Sequence, residues 1–293
     1  MVPDRRPRGP VPAWRPHGQT LRVLAAVDDV LDRYAAQLPL SLRQIFYVLV
    51  SDEILPKTER AYKNLCEHLG MARRSGRLDW SVIRDDTQVV VQAPASFADP
   101  ADFWRALRGA AEEYRRNRQD GQPVRLELWC ETAGMVPQLA RIGAEYGLPT
   151  YSGGGFDGLA GKHDAAERAA ACGVETVVLH VGDLDPSGIH LFSALAEDVA
   201  AFAAAAGGRI RFERIAVTTD QVERYALPTA PPKASDRRSF TGTTTTQAEA
   251  LPPDVLAAVV RAAIEAHRDP DVHQAALARE EAERSALRHQ LDV

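Results

Sequence analysis

Apolar positions recur along this chain in two rhythms, and the change from one to the other divides it. From Thr20, a plausible cap, Leu24, Val27, Leu31 and Tyr34 fall at helical spacing, which predicts a first helix ending before Pro39. Ser41 then caps a second helix, Leu42 to about Val50, whose Leu42, Ile45, Phe46 and Leu49 form one apolar stripe. Tyr47 falls off that stripe, one turn after Arg43 on the opposite side, so a phenol and a guanidinium sit at i and i+4. Thr58 starts a third helix with Ala61, Tyr62, Leu65 and Leu69 inward and Arg60 and Lys63 outward; Arg73, Arg74 and Arg77 follow it. Trp80 to Arg84 and Thr87 to Gln92, on either side of Asp85-Asp86, read as a hairpin.

Three helices followed by a two-stranded wing predict an N-terminal winged-helix (CAP-like) DNA-binding domain over residues 19–92, preceded by a flexible basic arm at 1–18. Residues 93–122 read as a linker with a helix from Pro100 to Arg118, Phe103, Trp104 and Leu107 inward. The rhythm changes near Gly121 to Pro123. Strands at Val124 to Cys130, Pro149 to Tyr151, Thr176 to Val181 and Ile210 to Thr218 alternate with helices at Val136 to Tyr146, Asp164 to Cys172 and Ile189 to Ala206. This order predicts an α/β domain over 123–226 with a parallel sheet flanked by helices. Residues 227–293 read as a Pro- and Thr-rich loop and two helices, from Asp254 and Val272, that pack on the sheet domain or build an interface.

Net charge is −5, which argues against nucleic acid until it is split. Residues 1–125 hold 20 Lys and Arg against 16 Asp and Glu; residues 126–293 hold 15 against 24. A basic front suits phosphate contacts by Arg60, Lys63, Arg73, Arg74 and Arg77, and an acidic rear suits cation binding. Cys66, Cys130 and Cys172 lack a Cys-x-x-Cys pair, so neither a disulfide framework nor a zinc site is indicated. No run reads as a membrane span or a signal peptide, which places the protein in the cytoplasm.

The candidate chemistry lies at strand ends. Glu131 ends one strand; Asp183 and Asp185, one residue apart, end another before Pro186 opens a helix. Carboxyl ends of parallel strands are where ligands bind in open α/β sheets, and carboxylates converging there repel unless a hard cation such as Mg²⁺ neutralises them. The plainer alternative is that Asp185 only caps the helix and Asp183 makes a turn. Gly153-Gly154-Gly155 is either a phosphate approach or a turn.

Together these residues resemble a family. Glu131 with Asp183-x-Asp185 in a compact βα domain resembles the Toprim domain. Arg43-Gln44-Ile45-Phe46-Tyr47 resembles the Arg-x-x-aromatic-Tyr motif of the topoisomerase VI A subunit and the meiotic double-strand-break transesterase, where a winged helix precedes the Toprim domain. The late element Glu249-Ala250-Leu251 agrees, so the likeness spans roughly residues 20–265. Thr132 stands where many Toprim domains carry Lys or Gly, and the chain is shorter than full A subunits. The resemblance implies a Mg²⁺-dependent cleavage of double-stranded DNA in which Tyr47 forms a 5′-phosphotyrosyl link, assisted by Arg43. Asp183 and Asp185 would hold the metal, with Glu131 as ligand or proton carrier. It also implies a homodimer in which the tyrosine of one subunit serves the metal site of the other, and an ATPase B-type subunit as partner. Two alternatives stay open: a hydrolytic Toprim nuclease using metal-activated water, and a non-catalytic winged-helix DNA-binding protein.

Overall fold

Local signals in the first 84 residues are strong enough to place three helices unaided. The structure, a computed structural model, describes residues 11–84, 96–152, 159–232, 240 and 242–291. Helix α1 (Gly18–Arg33) buries Leu24, Val27 and Leu31 of the predicted stripe together with Val23 and Val30, ends before Tyr34, and starts two residues before Thr20. Helix α2 (Leu42–Ser51) opens on a capping box: Ser41 accepts from the Gln44 N–H, and Gln44 Oε1 accepts from the Ser41 N–H at 2.9 Å. Helix α3 (Glu59–Arg74) is capped by Thr58 and buries Ala61, Leu65, Leu69 and Ala72. These faces close one core, joined by Leu40, Leu78 and Ile83.

The wing differs from expectation. Trp80–Val82 is a 3-10 turn, because the Asp79 carboxylate caps the Ser81 N–H. Of this first arm only β2 (Ile83–Arg84) is extended, and it pairs in parallel with β1 (Leu40–Ser41). Thr87 to Gln92, the other arm of the expected hairpin, lies outside the described residues, as do Asp85-Asp86, Gly153-Gly154-Gly155 and residues 1–10 of the basic arm.

Helix α4 (Pro100–Glu112) is shorter than the predicted Pro100 to Arg118, and its apolar side is not inward. Phe103 and Trp104 are 43% and 50% exposed, and Ala111 alone on this helix is buried, against α10 (Pro270–Leu291). An amphipathic pattern names a face; it does not supply a neighbour to cover it.

The rear half matches its prediction closely. Strands β3 (Val124–Cys130), β4 (Thr150–Ser152), β5 (Glu175–Val181) and β6 (Ile210–Ala216) form a four-stranded parallel sheet in the order β4-β3-β5-β6. Alternation sends Leu126, Leu128, Val177 and Leu179 to one face, under α5 (Val136–Tyr146) and α9 (Pro253–His267). Trp129 and Val178 go to the other, under α6 (Leu159–Ala171) and α7 (Pro186–Ala205). With α8 (Thr219–Arg224) the described residues hold ten α-helices, an α/β fold. Contrary to the sequence reading, α7 is long and apolar enough to cross a membrane by length and composition, through its run of Ala, Leu and Phe; here it packs against α6 and β6.

Candidate functional site

Neighbouring strands bring the acids together. Glu131 directly follows β3 and donates its N–H to Val181 O of β5 at 2.9 Å, so the two strand ends are level. Glu131 Oε2 accepts the Asp183 N–H at 3.0 Å, and Asp183 Oδ1 accepts the Ala248 N–H at 2.8 Å. Asp185 caps α7, its Oδ1 accepting the Gly188 N–H at 2.7 Å. Close approach here depends on glycine: a Cβ at Gly188 would stand 2.5 Å from Asp183 O, and one at Gly182 would stand 2.8 Å from Glu131 Oε2.

A fourth carboxylate joins from the rear segment. Glu249, on the 3-10 turn Ala248–Ala250, is 3% exposed, and burial followed by the Asp183 charge pushes its carboxyl up to about 7. Burial also raises Glu131 and Asp183, with Asp183 adding to the first and Asp185 to both. Arg214 on β6 opposes this charge while donating Nη2 to the carbonyls of Gly182, at 2.8 Å, and Asp183. Burial lowers the Arg214 guanidinium, and Glu131, Asp183 and Asp185 pull it back up. Four acids against one buried guanidinium leave net negative charge in a low-dielectric place.

The acids fit Mg²⁺ by donor chemistry. One oxygen each of Glu131, Asp183 and Asp185 is held by a backbone N–H, which fixes the carboxylate and leaves its second oxygen for a ligand. Glu249 Oε2 is buried without a hydrogen-bond partner. Among the described residues, no group of three or more His, Cys, Asp or Glu stands close enough together to hold a metal ion.

Tyr47 reaches the same region from the front module. Helix α2 packs on the core of α1 and α3 with one side and on the turn Ala248–Ala250 with the other, so Tyr47 is buried although it lies off the predicted stripe. Its hydroxyl donates to Gln247 Oε1, next to the Ala248 N–H that holds Asp183. Burial and then the Glu249 charge push the phenol up to about 12; Arg43 acts the other way and Asp183 adds to the rise. Arg43 is exposed, its guanidinium 5.9 Å from the Tyr62 ring centroid, and Lys57 Nζ lies 5.4 Å from the Tyr47 ring centroid.

Thus Tyr47, Arg43, Glu131, Asp183 and Asp185, named from sequence, share one electrostatic environment within one chain. The five basic residues named for DNA have different surroundings. Arg60 and Lys63 are exposed on α3, Lys63 paired with Glu59 at 2.7 Å. Arg73 is a structural anchor, donating to Ile83 O; Arg74 is half-buried, its carbonyl accepting the Val11 N–H; Arg77 is exposed and acts on Asp28. Sequence reasoning missed Lys57, Arg214 and Gln247 as site residues, and noted Glu249 only as part of a late element. For Glu249 the sequence signal was its place in the late element Glu249-Ala250-Leu251; its burial on a turn is seen only in the fold.

No protein family, no curated protein and no solved structure matches this chain.

Proposed function

We propose that the protein is a Mg²⁺-dependent DNA-cleaving enzyme of the winged-helix and Toprim type, with Tyr47 as nucleophile. The observation that carries this reading is the seat of the phenol. Tyr47 is bonded to Gln247, one residue from the N–H that holds Asp183 and two from the near-neutral acid Glu249.

In this reading the Tyr47 oxygen attacks a backbone phosphorus, the bond to the 3′ oxygen breaks, and a 5′-phosphotyrosyl ester forms while the strand keeps a 3′ hydroxyl. The phenolic proton must leave as the new bond forms, and the departing 3′ oxygen must gain one. Glu249, with a carboxyl near 7, is suited to take or give a proton at neutral pH, and Arg43 to stabilise charge on the phenoxide and phosphoryl oxygens. Glu131, Asp183 and Asp185 would hold Mg²⁺ in this reading, with Arg214 fixing the Gly182-Asp183 backbone. When bound, the metal supplies Lewis-acid polarisation of the phosphate.

One observation favours a hydrolytic nuclease instead: a phenol held by Gln247 and raised to about 12 is a weak nucleophile as it stands. The experiment separates the two. Supercoiled plasmid is incubated with protein and Mg²⁺, stopped with detergent, and run with and without protease, beside Tyr47→Phe and Asp183→Ala. Transesterification predicts linear DNA released only after protease and lost in both variants. Protein-free cuts that survive Tyr47→Phe but not Asp183→Ala establish hydrolysis.

A further inference from the structure

The mechanism above leaves Lys57 without a task, and its surroundings give it one. Lys57 lies between α2 and α3, half-buried, and donates Nζ to Pro228 O at 2.9 Å, a bond that ties the front module to the rear segment. The same ammonium lies 5.4 Å from the Tyr47 ring centroid and feels the charge of Asp183. Burial works against its charged form, yet among the described residues it forms no ion pair with a carboxylate. A half-buried ammonium whose hydrogen bond goes to a neutral carbonyl keeps much of its desolvation cost, which an anionic ligand in direct contact would offset.

The space beside it has the right lining. A cavity of about 180 Å³ is bordered by Lys57, Arg43, Tyr47, Tyr62, Thr58 and Gln247. Arg43 likewise forms no carboxylate ion pair among the described residues. Glu59 also borders the cavity, but its carboxylate is 81% exposed and is taken by Lys63 at 2.7 Å. Two cations, two phenols, a hydroxyl and an amide thus converge on one small volume. A planar guanidinium opposite a point-like ammonium is a pairing that suits a tetrahedral phosphate, which presents oxygens in several directions at once.

We propose that this cavity is a phosphate seat, with Lys57 and Arg43 as its two cations and a nucleic-acid phosphodiester as its ligand. The proposal rests on the reading of Tyr47 as facing DNA and extends it: Lys57 would touch the phosphate that the Tyr47 oxygen addresses.

Two binding measurements on the full chain, in EDTA so that nothing is cut, test it. In the first, lysines are acetylated with and without sodium phosphate, with sodium chloride at matched ionic strength, and with a short DNA duplex, and peptides carrying Lys57 and Lys63 are compared by mass spectrometry. Phosphate and duplex each protect Lys57 about fivefold, while chloride protects neither lysine. Protection by duplex without protection by phosphate also supports the seat and shows that it needs a diester in a chain. In the second, the dependence of duplex affinity on salt is measured for Lys57→Gln and Lys57→Arg; the slope falls by about 1 in Lys57→Gln and is kept in Lys57→Arg. Equal labelling of Lys57 in chloride, phosphate and duplex, or an unchanged slope in Lys57→Gln, overturns the proposal. The plasmid experiment separates the two claims: wild-type protein that shows Lys57 protected by duplex but yields no protease-released linear DNA keeps the seat and removes only the transesterase reading.

Discussion

Glu280, on α10, is a buried carboxylate that gathers hydrogen bonds from Arg116, Arg118 and Arg284. Its side chain is 3% exposed and both oxygens are shared. Oε1 accepts from Arg118 Nη2 and Arg284 Nη2, each at 2.7 Å, and Oε2 accepts from the Arg116 N–H at 3.0 Å and Arg118 Nε at 3.1 Å. These bonds, with Arg118 first, hold the carboxyl at about 2 against an ordinary 4.5. At 1.36 kcal/mol for each unit of pKa, that difference corresponds to about 3 kcal/mol. The sign follows from the depression: the contribution is complete above the unfolded pKa of 4.5 and is lost as pH falls through the folded value near 2. Glu280→Gln removes the charge while keeping the shape, and leaves Arg118, itself 12% exposed, without its counter-ion. Urea unfolding followed by far-UV circular dichroism at pH 7 should show the variant less stable by about 3 kcal/mol, or about 6–12 °C lower in Tm. The gap should close as wild type and variant are compared at pH 4, 3 and 2.5. A gap below about 0.5 kcal/mol at pH 7, the level of an exposed pair, or one that stays constant down to pH 2.5, refutes the reasoning.

Three further outcomes are expected. Glu249 has the opposite sign: a carboxyl raised to about 7 resists ionisation in the fold, so its cost is absent below 4.5, grows as pH rises, and is complete above 7. Glu249→Gln in EDTA should therefore be more stable than wild type at pH 8, by up to about 3 kcal/mol, and equal to it at pH 4, and in Mg²⁺ it should lose DNA cleavage; equal stability at pH 8 sinks this account. Asp185 serves as a cap, so Asp185→Ala should cost about 1 kcal/mol in urea unfolding and Asp185→Ser almost nothing; if Asp185 is also a ligand, Mg²⁺-dependent cutting is lost in both. Gln44 completes the cap of α2 and donates Nε2 to Gln138, which in turn donates to Pro253 O at 3.0 Å, so Gln44→Ala should destabilise by about 2 kcal/mol by the same measurement, and an unchanged midpoint would show the junction to be incidental.

Which parts of this structure were legible in the sequence follows from the range of the forces that make them. Capping is local, so Ser41 and Thr58 announce their helices. Parallel strands covered on both faces are apolar without interruption, so Val177 to Val181 could be read as a strand and Asp183 and Asp185 placed at its end. The strand expected from Trp80 begins only at Ile83, because Trp80 to Val82 carries strand-like residues while one carboxylate, Asp79, turns the chain there. Phe103, Trp104 and Leu107 were misread because periodicity cannot say whether a face finds a partner. Tyr47 was read as opposite the apolar stripe, but it is buried with the core of the front module, and its hydroxyl meets a residue 200 positions later. That distance is why Lys57, Gln247 and Glu249 escaped notice as chemistry. Each is ordinary in its own stretch and becomes informative only when α2 packs on the turn Ala248–Ala250. The strand ends supply the fixed carboxylates, and a long-range contact supplies the phenol and the acid near neutrality. A motif search sees the first kind of residue; only the packed chain shows the second, because a pKa near 7 or near 12 belongs to a place in the fold and not to a residue type.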